Sequence, residues 1–144
     1  LDLTVDRELS PYEPLLAELA QARGIDCEYQ RLPIRDVDVP ADPRQMRDIL
    51  AQIQRWQQQQ RKVYFHCWGG VGRTGTVAGC YLVQHGYTGE AALEQLKRLW
   101  TQMSDDKQRP KPHPPETQAQ RDYVLSWDAM AGGLYEENHP DDGV

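Results

Sequence analysis

The chain has 144 residues, 39% of them hydrophobic and 26% charged, the make-up of one ordinary globular domain with a real core. Its net charge of −6 and isoelectric point near 5.1 argue against a general nucleic-acid binder or a basic membrane-surface protein. The sequence shows no apolar run long enough to span a bilayer and no signal-peptide pattern, and Cys27, Cys67 and Cys80 are too few for a secreted disulfide scaffold, so a reducing cytoplasm is the expected setting.

Leu1–Val5 alternates like the end of a strand, and an N-terminal piece is expected to precede it. Ser10-Pro11 reads as a helix cap followed by a proline in the first turn, with Leu15, Leu16, Leu19 and Ala22 on one face and Gly24 closing the helix. A second strand is expected over Cys27–Leu32. Pro33–Pro40 is a proline-bracketed loop carrying Asp36 and Asp38, either a solvated turn or the source of a general acid. Asp42-Pro43 caps an amphipathic helix through Met46, Ile49, Leu50, Ile53 and Trp56, which ends in the polar run Gln57–Gln60. A third strand, Val63–His66, delivers the chain to Cys67.

After a glycine-rich loop, a helix is expected from Thr74 to Gln84, ending at His85-Gly86. Thr88 caps the next, whose apolar stripe of Leu93, Leu96, Leu99 and Trp100 reads as core. Residues 102–115 form a polar, proline-rich connection with Lys107, Arg109 and Lys111. This is either a solvated loop or a steering surface at a site mouth. Pro115-Glu116-Thr117 opens a last helix bearing Gln120, Val124 and Trp127. Residues 1–130 are read as a single domain and 131–144 as an acidic tail.

The chemistry gathers at Cys67-Trp68-Gly69-Gly70-Val71-Gly72-Arg73. A strand that ends in a glycine-rich turn at a helix N-terminus makes an anion site, because backbone N–H groups and the helix dipole point into the turn. Arg73 adds a planar fork of donors that grips two phosphate oxygens. A thiol in that field is expected to have its pKa drawn from about 8.5 into the range of roughly 3.5–7.5. A thiolate beside a phosphate cradle reads as phosphoryl transfer through a phosphocysteine. The bland alternative, a buried apolar cysteine near an unrelated arginine, does not account for the glycines, His66 and Thr74 in the same stretch. Nothing in the spacing of His, Asp and Cys suggests a metal, and no cofactor is expected.

His66-Cys67-x5-Arg73-Thr74-Gly75 resembles the signature loop of the cysteine-dependent protein tyrosine phosphatase superfamily, and the short chain resembles its compact, dual-specificity-like, bacterial-type branch. The resemblance implies an α/β fold: a three-layer sandwich with a small, mostly parallel central sheet flanked by helices. It implies that a short pair of strands and a helix precede Leu1. It makes Cys67 the nucleophile, with the N–H groups of Trp68, Gly69, Gly70, Val71, Gly72 and Arg73 holding the phosphate oxygens. His66 then holds the loop, and Thr74 donates its hydroxyl to the sulfur. Pro33-x-x-Asp36-x3-Pro40 is similar to the family's acid loop, which favours Asp36 over Asp38. Gln120 is a candidate to position the hydrolytic water, though an ordinary helix N-terminus explains it as well.

The implied substrate is a phosphorylated protein or peptide, with no nucleic acid or membrane partner and a monomeric chain. The positions Trp68–Val71 bring no lysine of the kind that phosphoinositide-cleaving relatives use. Trp68 reads equally as a pocket wall or as loop packing. No separate tyrosine-recognition loop is found, so phosphotyrosine versus phosphoserine or phosphothreonine stays open. A small-molecule (sugar or inositol) phosphatase and a phosphate-binding pseudophosphatase are the alternatives. Cys27 and Cys80 read as buried small residues, a disulfide with Cys67 being the competing reading.

Overall fold

The computed structural model describes residues 1–104 and 113–138, with side chains through residue 132. The Lys107, Arg109 and Lys111 connection and the last part of the tail lie outside the described residues. Among the described residues five helices carry the fold: α1 (Glu13–Ala22), α2 (Pro43–Gln58), α3 (Gly72–Gln84), α4 (Gly89–Trp100) and α5 (Gln118–Asn138).

Helices α2 and α4 start where their caps dictate. Asp42 accepts a hydrogen bond from the Arg44 N–H, and Thr88 accepts one from the Ala91 N–H, each satisfying an orphan donor of the first turn. Helix α1 begins two residues later than Ser10-Pro11 suggests. The first carbonyl of its ladder is that of Tyr12, which accepts from the Leu16 N–H at 2.9 Å, and the proline of its first turn is Pro14. Helix α3 starts at Gly72, two residues before Thr74, so Arg73 and Thr74 stand in its first turn. Helix α5 runs past residue 131, where the composition turns acidic, as far as Asn138.

The expected central sheet is reduced to parallel pairing around one residue. Among the described residues Asp2 bridges Arg31 on one side and His66 on the other. The Leu3 N–H donates to the His66 carbonyl, and the Leu32 N–H donates to the Asp2 carbonyl, both at 2.9 Å. The three expected strand segments thus lie side by side, with residues 1–3 in the middle, but none reaches strand length. The reason is local: the Thr4 N–H turns to the Asp2 carboxylate and the Val5 N–H to Glu8, which removes both from the ladder.

The core joins Leu1, Leu3 and Ile34 to the inner faces of α2, α3 and α5, including Met46, Ile53, Val77, Val124 and Trp127. Helix α3 packs against α5 and α4, and α2 touches α3 and α5. Close approach of α3 and α5 needs a residue without a side chain, since a Cβ on Gly79 would lie 2.6 Å from Val124 Cγ2. Three expectations fail at the edges. No residue of α1 is buried, although Leu15, Leu16, Leu19 and Ala22 share a face. Beneath that helix an open cavity of about 450 Å³, lined by Tyr12, Leu16, Ile25, Trp56 and His66 among others, stands where a packed layer would be. Leu99 is exposed on the outer side of α4, and Cys27 is exposed rather than buried. Cys80 is fully buried, and burial pushes its thiol pKa up.

Candidate active site

The loop from Cys67 turns into α3 and folds its donors back on the sulfur. Gly70 adopts φ +69°, a left-handed conformation that glycine takes without penalty. Its N–H donates to Cys67 Sγ at 3.3 Å, and Thr74 Oγ1 donates to the same sulfur at 3.1 Å. Two donors, one from the backbone and one from a side chain, thus converge on one sulfur. Cys67 is only 6% exposed and Arg73 1%, so both are recessed. Val71 is buried and sits at the N-cap of α3.

Gly72 allows the loop to lie against α5, because a Cβ there would meet the Gln120 side-chain amide at 2.9 and 3.0 Å. Gln120 is itself buried. Its Oε1 accepts the Glu116 and Thr117 N–H groups, and its Nε2 donates to the Asp38 carbonyl at 3.2 Å. It therefore braces the start of α5 and the acid loop at once.

Arg73 is the electrostatic centre. Its guanidinium donates to both carboxylate oxygens of Glu8, with Nη1–Oε2 at 2.7 Å, and to the Ile34 carbonyl at 3.1 Å. Asp36 Oδ1 pairs with Nη2 at 2.9 Å. Nε is buried and has no partner among the described residues. Glu8 holds the guanidinium end-on, so the edge that Nε shares with Nη2 can take an oxyanion in bidentate fashion once Asp36 leaves Nη2. The hydrogen bond from Arg73 holds the Glu8 carboxyl below its ordinary pKa, and the Glu8 carboxylate in turn raises that of Arg73.

The acid loop is pinned at several points. Arg73 holds Ile34, Gln45 Nε2 donates to the Pro33 carbonyl at 2.5 Å, and Gln120 holds Asp38. A turn closes from the Asp38 N–H to the Arg35 carbonyl at 3.3 Å, with Val37 at φ +55°. That turn sends Asp36 to Arg73. Asp38 instead accepts the N–H of its neighbour Val39 at 2.9 Å. The two carboxylates, equivalent by composition, thus meet different partners.

His66 lies behind the loop. Its Nδ1 is 3.0 Å from the Cys67 carbonyl, and its Nε2 is 2.6 Å from the Tyr12 hydroxyl. A carbonyl only accepts, so Nδ1 carries the proton and Tyr12 donates to Nε2. Trp68 is 70% exposed, so it does not pack the loop against a helix.

The structure brings Cys67, Gly70, Arg73, Thr74 and Asp36 together, with His66 and Gln120 in contact from behind. Sequence reasoning missed Glu8 and Tyr12. Glu8 sits in a polar turn with no periodic signal, 65 positions from its partner. Only the fold makes them neighbours. Among the described residues no group of His, Cys, Asp and Glu is arranged to hold a metal ion, and no helix is long and apolar enough to cross a membrane.

Compared with known proteins, residues 4–124 match the family described as PTP-SAK, Swiss Army Knife protein, DSP-PTPase phosphatase domain. No curated protein matches in sequence. Among solved structures, the active form of Tk-PTP superposes with a TM-score of 0.65 at 28% identity, covering 89% of this chain and 76% of that one. A glycine-to-alanine mutant form of Tk-PTP gives 0.65 and 28% over 91% and 76%. Kinase associated phosphatase (KAP), with its catalytic-site cysteine replaced by serine, gives 0.66 and 26% over 90% and 68%.

Proposed function

Since the chain belongs to the DSP-PTPase phosphatase domain family, it is a cysteine-dependent protein phosphatase of the tyrosine or dual-specificity type, and we propose that Cys67 is its nucleophile and Asp36 its general acid. Its substrates are phosphorylated proteins. The observation that carries the assignment is the convergence of Gly70 and Thr74 on the Cys67 sulfur beside an arginine that Asp36 already touches.

In the first step Cys67 Sγ attacks phosphorus, the S–P bond forms, and the ester P–O bond breaks. Asp36 gives its proton to the departing oxygen, so neither phenolate nor alkoxide leaves unprotonated. The loop N–H groups from Trp68 to Arg73 and the Nε–Nη2 edge of Arg73 take the equatorial phosphate oxygens, where charge is greatest in the transition state. An incoming phosphate meets Asp36 on Arg73 Nη2 and releases it toward the leaving group. In the second step Asp36, now ionised, takes a proton from water as the water attacks phosphorus. The Thr74 hydroxyl stabilises the departing thiolate. Glu8 keeps Arg73 aimed, His66 and Tyr12 hold the backbone of Cys67, and Gln120 fixes the loop that bears Asp36. A water-positioning role for Gln120 requires it to leave its bonds to Glu116, Thr117 and Asp38, so bracing is the reading preferred.

On this reading the three bridged segments are the parallel centre of an α/β sandwich. The chain works as a monomer on protein substrates, without nucleic acid or membrane, in a reducing cytoplasm that keeps Cys67 a thiol.

Hydrolysis of para-nitrophenyl phosphate across pH 4–8 tests the assignment. Cys67→Ser is expected to abolish turnover. Asp36→Asn is expected to lower kcat about 10²–10⁴-fold and to flatten the basic limb of the profile. Retention of that limb moves the acid to Asp38, and turnover by Cys67→Ser removes the cysteine mechanism.

A further inference from the structure

Two exposed apolar side chains, Trp68 and Val37, stand next in sequence to the reacting groups Cys67 and Asp36, one on each of two loops. Trp68 follows the nucleophile directly and presents most of its indole to solvent, while the sulfur and the guanidinium beside it are recessed. Val37 follows the acid and is 58% exposed. It holds φ +55° in the turn closed by Arg35 and Asp38. A β-branched residue is disfavoured in that conformation, where Gly, Asn or Asp is the easy choice. An apolar side chain at that corner is therefore kept at a conformational cost. None of the loop positions from Trp68 to Val71 carries a cation that would call for a second phosphate.

Building on the phosphatase reading, we propose that Trp68 and Val37 are specificity-determining residues that select the aryl group of phosphotyrosine over aliphatic phosphoesters, with the Trp68 indole as the platform for the substrate ring. An aromatic ring joined to phosphorus through one oxygen reaches a recessed sulfur while its faces stay level with the rim. There it buries apolar area and gains an edge or offset contact with the indole. The short aliphatic arm of phosphoserine brings no ring to either side chain, and its peptide backbone would have to approach the rim itself. The selection belongs to binding, so it appears in KM rather than in the chemical step.

The test measures kcat and KM on two peptides of identical flanking sequence, one phosphotyrosyl and one phosphoseryl, with wild type, Trp68→Ala, Trp68→Phe and Val37→Asn. Asparagine keeps the left-handed turn and removes the apolar surface. Competitive inhibition by phenylphosphonate against methylphosphonate gives the same comparison at the level of binding. Trp68→Ala is expected to raise KM for the phosphotyrosyl peptide and to narrow the aryl preference about tenfold in both assays. Trp68→Phe is expected to restore most of it, and Val37→Asn to narrow it less. An unchanged preference in Trp68→Ala overturns the inference and leaves the phosphatase reading standing. So does an equal fall in kcat on both peptides, which marks Trp68 as loop support. If wild type cleaves no phosphomonoester at all, the phosphatase reading falls and takes the inference with it.

Discussion

Arg73 shows how a single buried charge organises this site. Its guanidinium is almost wholly removed from water, which is tolerable only because carboxylates and a carbonyl surround it. Glu8 supplies two of those contacts and Asp36 one. Glu8→Gln is expected to lower kcat/KM about 10–100-fold, the value of a lost charge-assisted hydrogen bond, by letting the arginine drift toward Asp36. The pair also has a pH signature. Arg73 holds the Glu8 carboxyl below its ordinary value of 4.5, so the stability it lends is complete above that value and disappears as pH falls through the lowered folded value. Thermal melting followed from pH 6 to pH 2 is expected to show a steeper loss for wild type than for Glu8→Gln. Equal slopes would mean that the pair adds nothing to folding.

At the scale of elements, the loop geometry depends on how closely α3 lies against α5. Gly72 lets the Gln120 amide in, and Gly79 admits Val124. Gly79→Ala places a Cβ at 2.6 Å from a Val124 methyl and is expected to cost about 1–3 kcal/mol, the usual penalty for overpacking. Intrinsic propensity acts in the opposite direction, because alanine is the better helix former by roughly 1 kcal/mol. A double-mutant cycle with Val124→Ala, read by denaturant unfolding, separates the two. The cycle is expected to recover stability in the double variant, and additive losses would show that the two residues do not meet. The capped helices were legible in sequence for a physical reason. Asp42 and Thr88 act on N–H groups two or three residues away, and amphipathic spacing shows which side of α2 is buried. Helix α1 has the same apolar spacing yet buries nothing, since periodicity reports a face and not what lies against it.

At the scale of the whole molecule, Asp2 ties the segments together. Its backbone bridges residues 31 and 66, and its buried carboxylate accepts from Thr4, Tyr29 and Arg31. Burial works against that charge, but the hydrogen bonds from Thr4 and Tyr29 outweigh it and the carboxyl titrates below its ordinary value. Asp2→Ala is expected to cost about 1–3 kcal/mol, the penalty for leaving the buried Thr4 N–H and hydroxyl without their acceptor. The loss should appear in the melting temperature and, through the His66 segment, in the phosphatase rate. A melting temperature within a degree or two of wild type would mean that the pairing around residue 2 is not what holds these segments.

The sequence alone determined the reactive stretch and the chemistry to expect of it, because a thiol, a glycine-rich turn, an arginine and a helix start within nine residues act on one another locally. It also offered Asp36 and Asp38, in the Pro33–Pro40 loop, as the candidates for the general acid. Only the tertiary structure decided which of two nearby carboxylates meets Arg73, since Asp36 and Asp38 differ in a turn whose direction Val37 and Gln120 set. Glu8 and Tyr12 entered the site for the same reason. They lie 65 and 54 positions from the residues they hold, and an interaction of that range leaves no trace in local spacing.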